Sequence, residues 1–172
     1  NRPKSGFASS DPGDSGWQVS SDYPHLDSGK FWIETSQMAS ASEVYVDMDY
    51  DGGGWMLVGR GREGWNWNDA GQGSAADVAD VPEGTSAFNP DYYSSTYIDD
   101  LLNETDLSNL DDGVRLRRAK NTSGTAWQNV IWNFSTQNNW DWDFDVGLGL
   151  SDYITDGVNH GADDTYDANP FD

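Results

Sequence analysis

Apolar and polar residues alternate over residues 43–49: Val44, Val46 and Met48 fall on one side, Glu43, Tyr45, Asp47 and Asp49 on the other. A period of two predicts a half-buried strand. The strand runs into Tyr50, Asp51 and three consecutive glycines, Gly52 to Gly54, which accept positive φ, so residues 55–60 are expected to return antiparallel as a second strand. Residues 61–82 are polar and glycine-rich around Trp65 and Trp67, the composition of a long surface loop held down by aromatic plugs. A helix is predicted next: Asn89 can cap it, Pro90 suits its first position and Asp91 suits its positive end. Tyr93, Tyr97, Ile98 and Leu101 share one face, and the helix should end near Asn103.

Residues 114–117 and 129–134 read as two further strands, the second with Val130, Trp132 and Phe134 on a common face, and a polar turn over 121–124 lies between them. Residues 139–146 alternate again, Trp140, Trp142, Phe144 and Val146 opposing Asp141, Asp143 and Asp145, and are expected to form a strand. Beyond Gly147 regular signals fade, and residues 156–172 read as loop. Residues 1–22, broken by Pro3, Pro12, Gly13 and Gly16, read as an extended N-terminal arm with little regular structure. With no repeat of about 20–50 residues, the expectation is an α+β chain with a small antiparallel sheet, one or two short helices and long loops. Residues 23–172 would form a single domain.

Length and charge narrow the function. The chain has 172 residues, enough for one ordinary core, and 9 Lys plus Arg against 30 Asp plus Glu, a formal charge of −21. Such a surface repels phosphate backbones and anionic lipid, so neither nucleic acid nor membrane insertion is expected. No run reaches the roughly 18 apolar residues of a membrane helix. Nine Trp, 8 Tyr and 6 Phe argue for a folded chain rather than an acidic tail. Zero cysteines exclude disulfides, thiolate metal sites and thiol nucleophiles, and two histidines, His25 and His160, leave oxygen ligands as the natural metal donors. Beginning at Asn1 rather than Met, the chain reads as a processed product or a fragment.

Ser28-Gly29-Lys30-Phe31-Trp32-Ile33, then Val44-Tyr45-Val46-Asp47-Met48, then Asp51-Gly52-Gly53-Gly54-Trp55-Met56-Leu57-Val58, resembles the opening of the fibrinogen C-terminal-like domain, which ficolins and intelectins share. There a G-x-Y-x-I strand precedes V-x-C-D-M and D-G-G-G-W-T-x-V. The likeness covers about residues 22–60 and weakens through 97–102 and 115–132. Val46 stands where that family usually has a cysteine, and the cysteine's partner is missing too. Family domains usually close with an apolar strand after their calcium loop, whereas residues 170–172 read as acidic loop, so the closing strand is expected to be absent, cleaved or supplied by another chain. The resemblance implies a fold of that family and an extracellular, non-enzymatic recognition module, often binding glycans or acetylated groups and often holding calcium.

Asp163, Asp164, Asp167 and Asn169 gather oxygen donors within seven residues on a glycine-flanked loop, which suits the roughly six to eight oxygens of Ca²⁺. In so acidic a chain the competing reading is solvated surface. Asp141, Asp143 and Asp145 imitate the start of an EF-hand, but Val146 stands where that loop needs glycine, so the strand reading prevails. Trp65 and Trp67, placed on a loop, are candidate platforms for sugar rings, with Trp140 and Trp142 as further candidates; packing is the alternative for each. Trp32, Trp55 and Trp132, on predicted strands, are assigned to the core.

His160, three residues before the acidic group, is a candidate ligand residue, the alternative being a bystander. Arg115, Arg117, Arg118 and Lys120 could meet an acidic surface, including that of another copy. Asn103, Asn121 and Asn133 open glycosylation patterns. No nucleophile-elbow, zinc-helix, phosphate-loop or dinucleotide motif is present, and no carboxylate pair stands out as catalytic. The expectation is a calcium-assisted module recognising glycans or another surface ligand, outside a cell or on a virion. The alternative is a structural subunit of a capsid, tail or surface filament.

Overall fold

Four consecutive residues at the glycine turn adopt the left-handed region: Asp51 (φ 42°), Gly52 (85°), Gly53 (79°) and Gly54 (89°). Only a glycine run accepts this at low cost. The turn joins β2 (Ser42–Asp47) to β3 (Trp55–Met56), which pair antiparallel with Val46 opposite Met56, as the alternation and the glycines predict. The computed structural model describes residues 4–62, 64–66, 68–80, 89–142 and 149–162. The described residues are mixed α and β with strands predominating, arranged in three sheets, and the chain divides into two units, Asn1–Glu104 and Thr105–Asp172.

In the first unit β1 (Gly29–Ile33) lies antiparallel to β2, giving the order β1-β2-β3. Phe31, Ile33, Val44 and Val46 point inward and are buried; full burial of each such side chain is worth about 1.5–3 kcal/mol. Residues 4–22 depart from the expected loose arm. They hold helix α1 (Gly16–Asp22), capped by Ser15, whose hydroxyl accepts from the Gln18 amide at 3.0 Å. Seven residues are too few for a helix to persist alone, and tertiary contact sustains it. Val19 is fully buried, and a Cβ on Gly16 would fall 2.6 Å from the Gly54 carbonyl oxygen. The segment before α1 also bonds to β1, the Gly13 amide donating to the Trp32 carbonyl at 2.8 Å and the Trp32 amide to the Gly6 carbonyl at 2.7 Å.

Residues 55–60 do not continue as one strand. After β3 the chain changes sheets, and β4 (Gly59–Arg60) pairs with β5 (Asp91–Tyr92). The predicted loop contains helix α2 (Ala75–Asp80), with Val78 and Ala79 buried. The helix expected from Asn89 begins later, as α3 (Ser95–Leu101), with Ser94 as its cap. Asp91 and Tyr92 are claimed by the sheet because Asp91 meets the Arg60 guanidinium at 3.1 Å, with side-chain exposures of 8% and 9%. A buried carboxylate without that partner would be far costlier than a shorter helix. Ile98 and Leu101 are buried along the expected face, and burial pushes the Tyr93 hydroxyl pKa well above the usual tyrosine value, with nearby Tyr97 adding to the effect.

The second unit is built on a four-stranded antiparallel sheet in the order β6 (Val114–Ala119), β7 (Trp127–Phe134), β8 (Leu150–Thr155), β9 (Val158–Asn159). The first two match the predicted strands and their turn, closed by the Lys120 amide on the Ala126 carbonyl at 2.7 Å. The last two lie beyond Gly147, where the periodicity is weak. They are joined by Asp156 (φ 48°) and Gly157 (φ 84°), a two-residue turn with positive φ at both positions. Residues 139–142 are not strand, although Trp140 (7% exposed) and Trp142 (5%) are buried together, edge to face at 5.0 Å. The rest of that predicted strand, residues 143–146, lies outside the described residues. Trp32, Trp55 and Trp132, assigned to the core from their strand positions, are only half-buried.

Candidate functional site

Partners across an antiparallel ladder share a face, so the register of the four-stranded sheet sorts its side chains directly. Val114 pairs with Trp132, Trp132 with Tyr153, and the His160 amide donates to the Tyr153 carbonyl at 3.0 Å. These four residues make one row across β6, β7 and β8 and just past the end of β9. Leu116, Val130, Thr155 and Val158 make the next row, and Arg118 and Gln128 continue the face, joined at 2.8 Å. Val114, Leu116, Val130, Trp132 and Tyr153 are half-buried, while Val158 (59%) and His160 are exposed.

The opposite face carries Arg115, Arg117, Asn129, Asn133 and Asp152 together with the half-buried Trp127 and Ile154 around Ile131, which is buried at 5%. The face around Ile131 is thus mixed, and the Trp132 face is the more apolar of the two and stays partly open. A contiguous, partly exposed apolar surface with a polar rim marks a place where something binds.

At the open end of the row the His160 imidazole lies face to face on the Tyr153 ring, with centroids 4.6 Å apart and planes 13° apart. With strands spaced about 4.8 Å, Trp132, Tyr153 and His160 span about 10 Å. The indole and phenol supply flat apolar surface, and the imidazole, the phenol hydroxyl and the Arg118–Gln128 pair supply hydrogen-bonding groups around it.

The other sequence-predicted residues are placed differently. Trp65 is half-buried and stacks on Tyr92 at 5.0 Å and 17°, and any side chain at Gly61 would collide with its ring. The Tyr92 hydroxyl accepts from the Asn68 amide at 2.9 Å and donates to the Asn66 side chain, so this group works as the expected loop plug. Trp67 lies outside the described residues, as do the calcium candidates Asp163, Asp164, Asp167 and Asn169. Among the described residues, no group of three or more His, Asp or Glu side chains could hold a metal ion. The basic cluster does not form one patch, because strand alternation divides it. Arg115 and Arg117 share one face, Arg117 lying 4.8 Å from the centroid of the Trp127 ring, while Arg118 is on the other; Lys120 reaches Asp156 at 3.8 Å.

Of the aromatic row, sequence reasoning named only His160. It missed Tyr153, and it sent Trp132 to the core. One signal could have found the row: Asp156-Gly157 between Tyr153-Ile154-Thr155 and Val158 is the strongest short-range hairpin cue in that stretch, and it returns residue 160 beside residue 153. No helix among the described residues is long and apolar enough to cross a membrane. The chain matches no family model, and no curated protein matches it.

Proposed function

We propose that the chain is a non-enzymatic recognition module that binds glycans through the half-exposed face of its four-stranded sheet, with calcium held by Asp163, Asp164, Asp167 and Asn169 assisting. The observation that carries the reading is the cross-strand row of Trp132, Tyr153 and His160 on an apolar face that stays partly open. A pyranose presents C–H groups to an indole face and hydroxyls to its rim, which is the chemistry this row offers. His160 lies three residues before the acidic segment, so ion and sugar would be bound close together in the chain. The glycine-turn hairpin of β2 and β3 supports kinship with the fibrinogen-like domain, and with it an extracellular or virion location.

The test is a glycan array probed with the chain, with Trp132→Ala and with His160→Ala, each with calcium and with EDTA. Binding that falls at least tenfold in Trp132→Ala, with the far-UV spectrum unchanged, and that disappears in EDTA is the expected result. Absence of binding to any sugar, together with a melting temperature indifferent to EDTA, would sink the proposal. A second reading, a structural subunit of a capsid, tail or filament, is favoured by the exposed apolar side chains Phe7 (59%), Trp17 (64%) and Val158 (59%). Sedimentation distinguishes the two: a monomer at high concentration argues against the subunit.

A further inference from the structure

Three segments carry the Asn-x-Ser/Thr pattern, and the fold treats their amides differently. Asn133 sits within β7, half-buried, its Nδ2 donating to Asp152 Oδ1 at 2.8 Å. Its Oδ1 lies where a Cβ on Gly113 would come within 2.3 Å. Asn121, on the exposed β6–β7 turn, is engaged on both sides of its amide: Oδ1 accepts from the Thr125 amide at 3.0 Å and Nδ2 donates to Thr125 Oγ1 at 2.9 Å.

Asn103 differs from both. It follows α3, exposed, at φ 57°, and its Oδ1 accepts from both the Ser36 amide (3.2 Å) and the Ser36 hydroxyl (2.7 Å). With its oxygen fixed in this way, its Nδ2 makes no hydrogen bond to a described residue. Glu104 and Thr105 are exposed as well, so the whole Asn103-Glu104-Thr105 pattern is at the surface.

We infer that Asn103 is an acceptor for an N-linked oligosaccharide that the folded protein carries, and that Asn133 is not. The donor is a lipid diphosphate-linked oligosaccharide. Asn103 Nδ2 attacks the anomeric carbon, an N–C bond forms as the C–O bond to the diphosphate breaks, the lipid diphosphate leaves with the electron pair, and the amide gives up one proton to the transferase. Transfer takes place on the chain before it folds, so the fold decides which product can reach the native state. A sugar on Asn103 projects into water. A sugar on Asn133 Nδ2 would have to replace the hydrogen bond to Asp152 on an interior strand, with the Oδ1 side of the amide closed in by Gly113.

The inference rests on the extracellular part of the proposed function, since the transfer belongs to a secretory route, and its test is independent of sugar binding. The full chain is secreted from a glycosylating eukaryotic host and treated with peptide N-glycosidase in heavy-oxygen water, and labelled aspartate is located by mass spectrometry. The expected result is label at residue 103, its loss in Thr105→Ala with secretion and far-UV spectrum unchanged, and none at residue 133 in the folded product. An unmodified Asn103 in folded secreted protein, or a modified Asn133, would overturn the inference. Chain made without glycosylation and probed on the array separately reports whether the recognition reading fails.

Discussion

Replacing Gly54 with alanine tests the physical core of the first unit. Gly54 has φ 89°, and a Cβ there would lie 2.8 Å from the Trp17 Cα and 3.1 Å from its nitrogen. Those are backbone atoms of α1, which cannot swing aside. The left-handed backbone costs a residue with a Cβ about 1–2 kcal/mol, and forcing helix and hairpin apart adds about 1–3 kcal/mol, so Gly54→Ala should lose about 2–5 kcal/mol. Gly52→Ala is the control: it has the same left-handed φ, 85°, but nothing within 4 Å of its Cβ, so only the first cost of about 1–2 kcal/mol applies. Against a total stability of about 5–15 kcal/mol the two losses are distinguishable. The assay is urea unfolding by far-UV circular dichroism, with hydrogen exchange of the Leu57 amide, which donates to Tyr45 across the hairpin at 2.9 Å. Equal losses for Gly52→Ala and Gly54→Ala would refute the argument that backbone contact between α1 and the turn builds this region.

Removing the Asp91 carboxylate takes one of several partners from the Arg60 guanidinium, which also donates to the Asp77 carbonyl, so Asp91→Ala should cost about 1.5–3 kcal/mol. Asp14→Ala, which breaks an ion pair with Lys4 between side chains 50% and 61% exposed, should cost less than about 1 kcal/mol; urea midpoints compare them. The raised Tyr93 pKa predicts that stability is intact below about pH 10, where the unfolded tyrosine begins to ionise, and is lost as pH rises further; Tyr93→Phe should flatten that alkaline decline in thermal melts. Gly157→Ala, with φ 84° and open space around its Cβ, should cost only the left-handed term of about 1–2 kcal/mol, read from thermal melts. With a formal charge of −21, the melting temperature should rise with sodium chloride as self-repulsion is screened, and a salt-independent value would contradict that.

Elements with purely local signals are legible in the residues alone. Alternation over 43–49 and the three glycines produced β2 and its turn to β3, and alternation over 114–117 and 129–134 produced β6 and β7, because a strand with one buried side needs a period of two and a tight reversal needs residues without a Cβ. The residues alone also mark His160 as a residue of interest. Features that depend on partners distant in the chain emerge only on folding. Helix α1 exists because Val19 and Gly16 pack on the early sheet, and Asp91 belongs to a strand because Arg60, 31 residues earlier, is buried beside it. Trp132 is half-exposed while Trp140 and Trp142 are buried, although all three stand in alternating stretches. Periodicity reveals that a segment has two faces, but which face meets protein and which meets water is settled only by what packs against it, so the row of Trp132, Tyr153 and His160 becomes a surface only once the sheet is assembled.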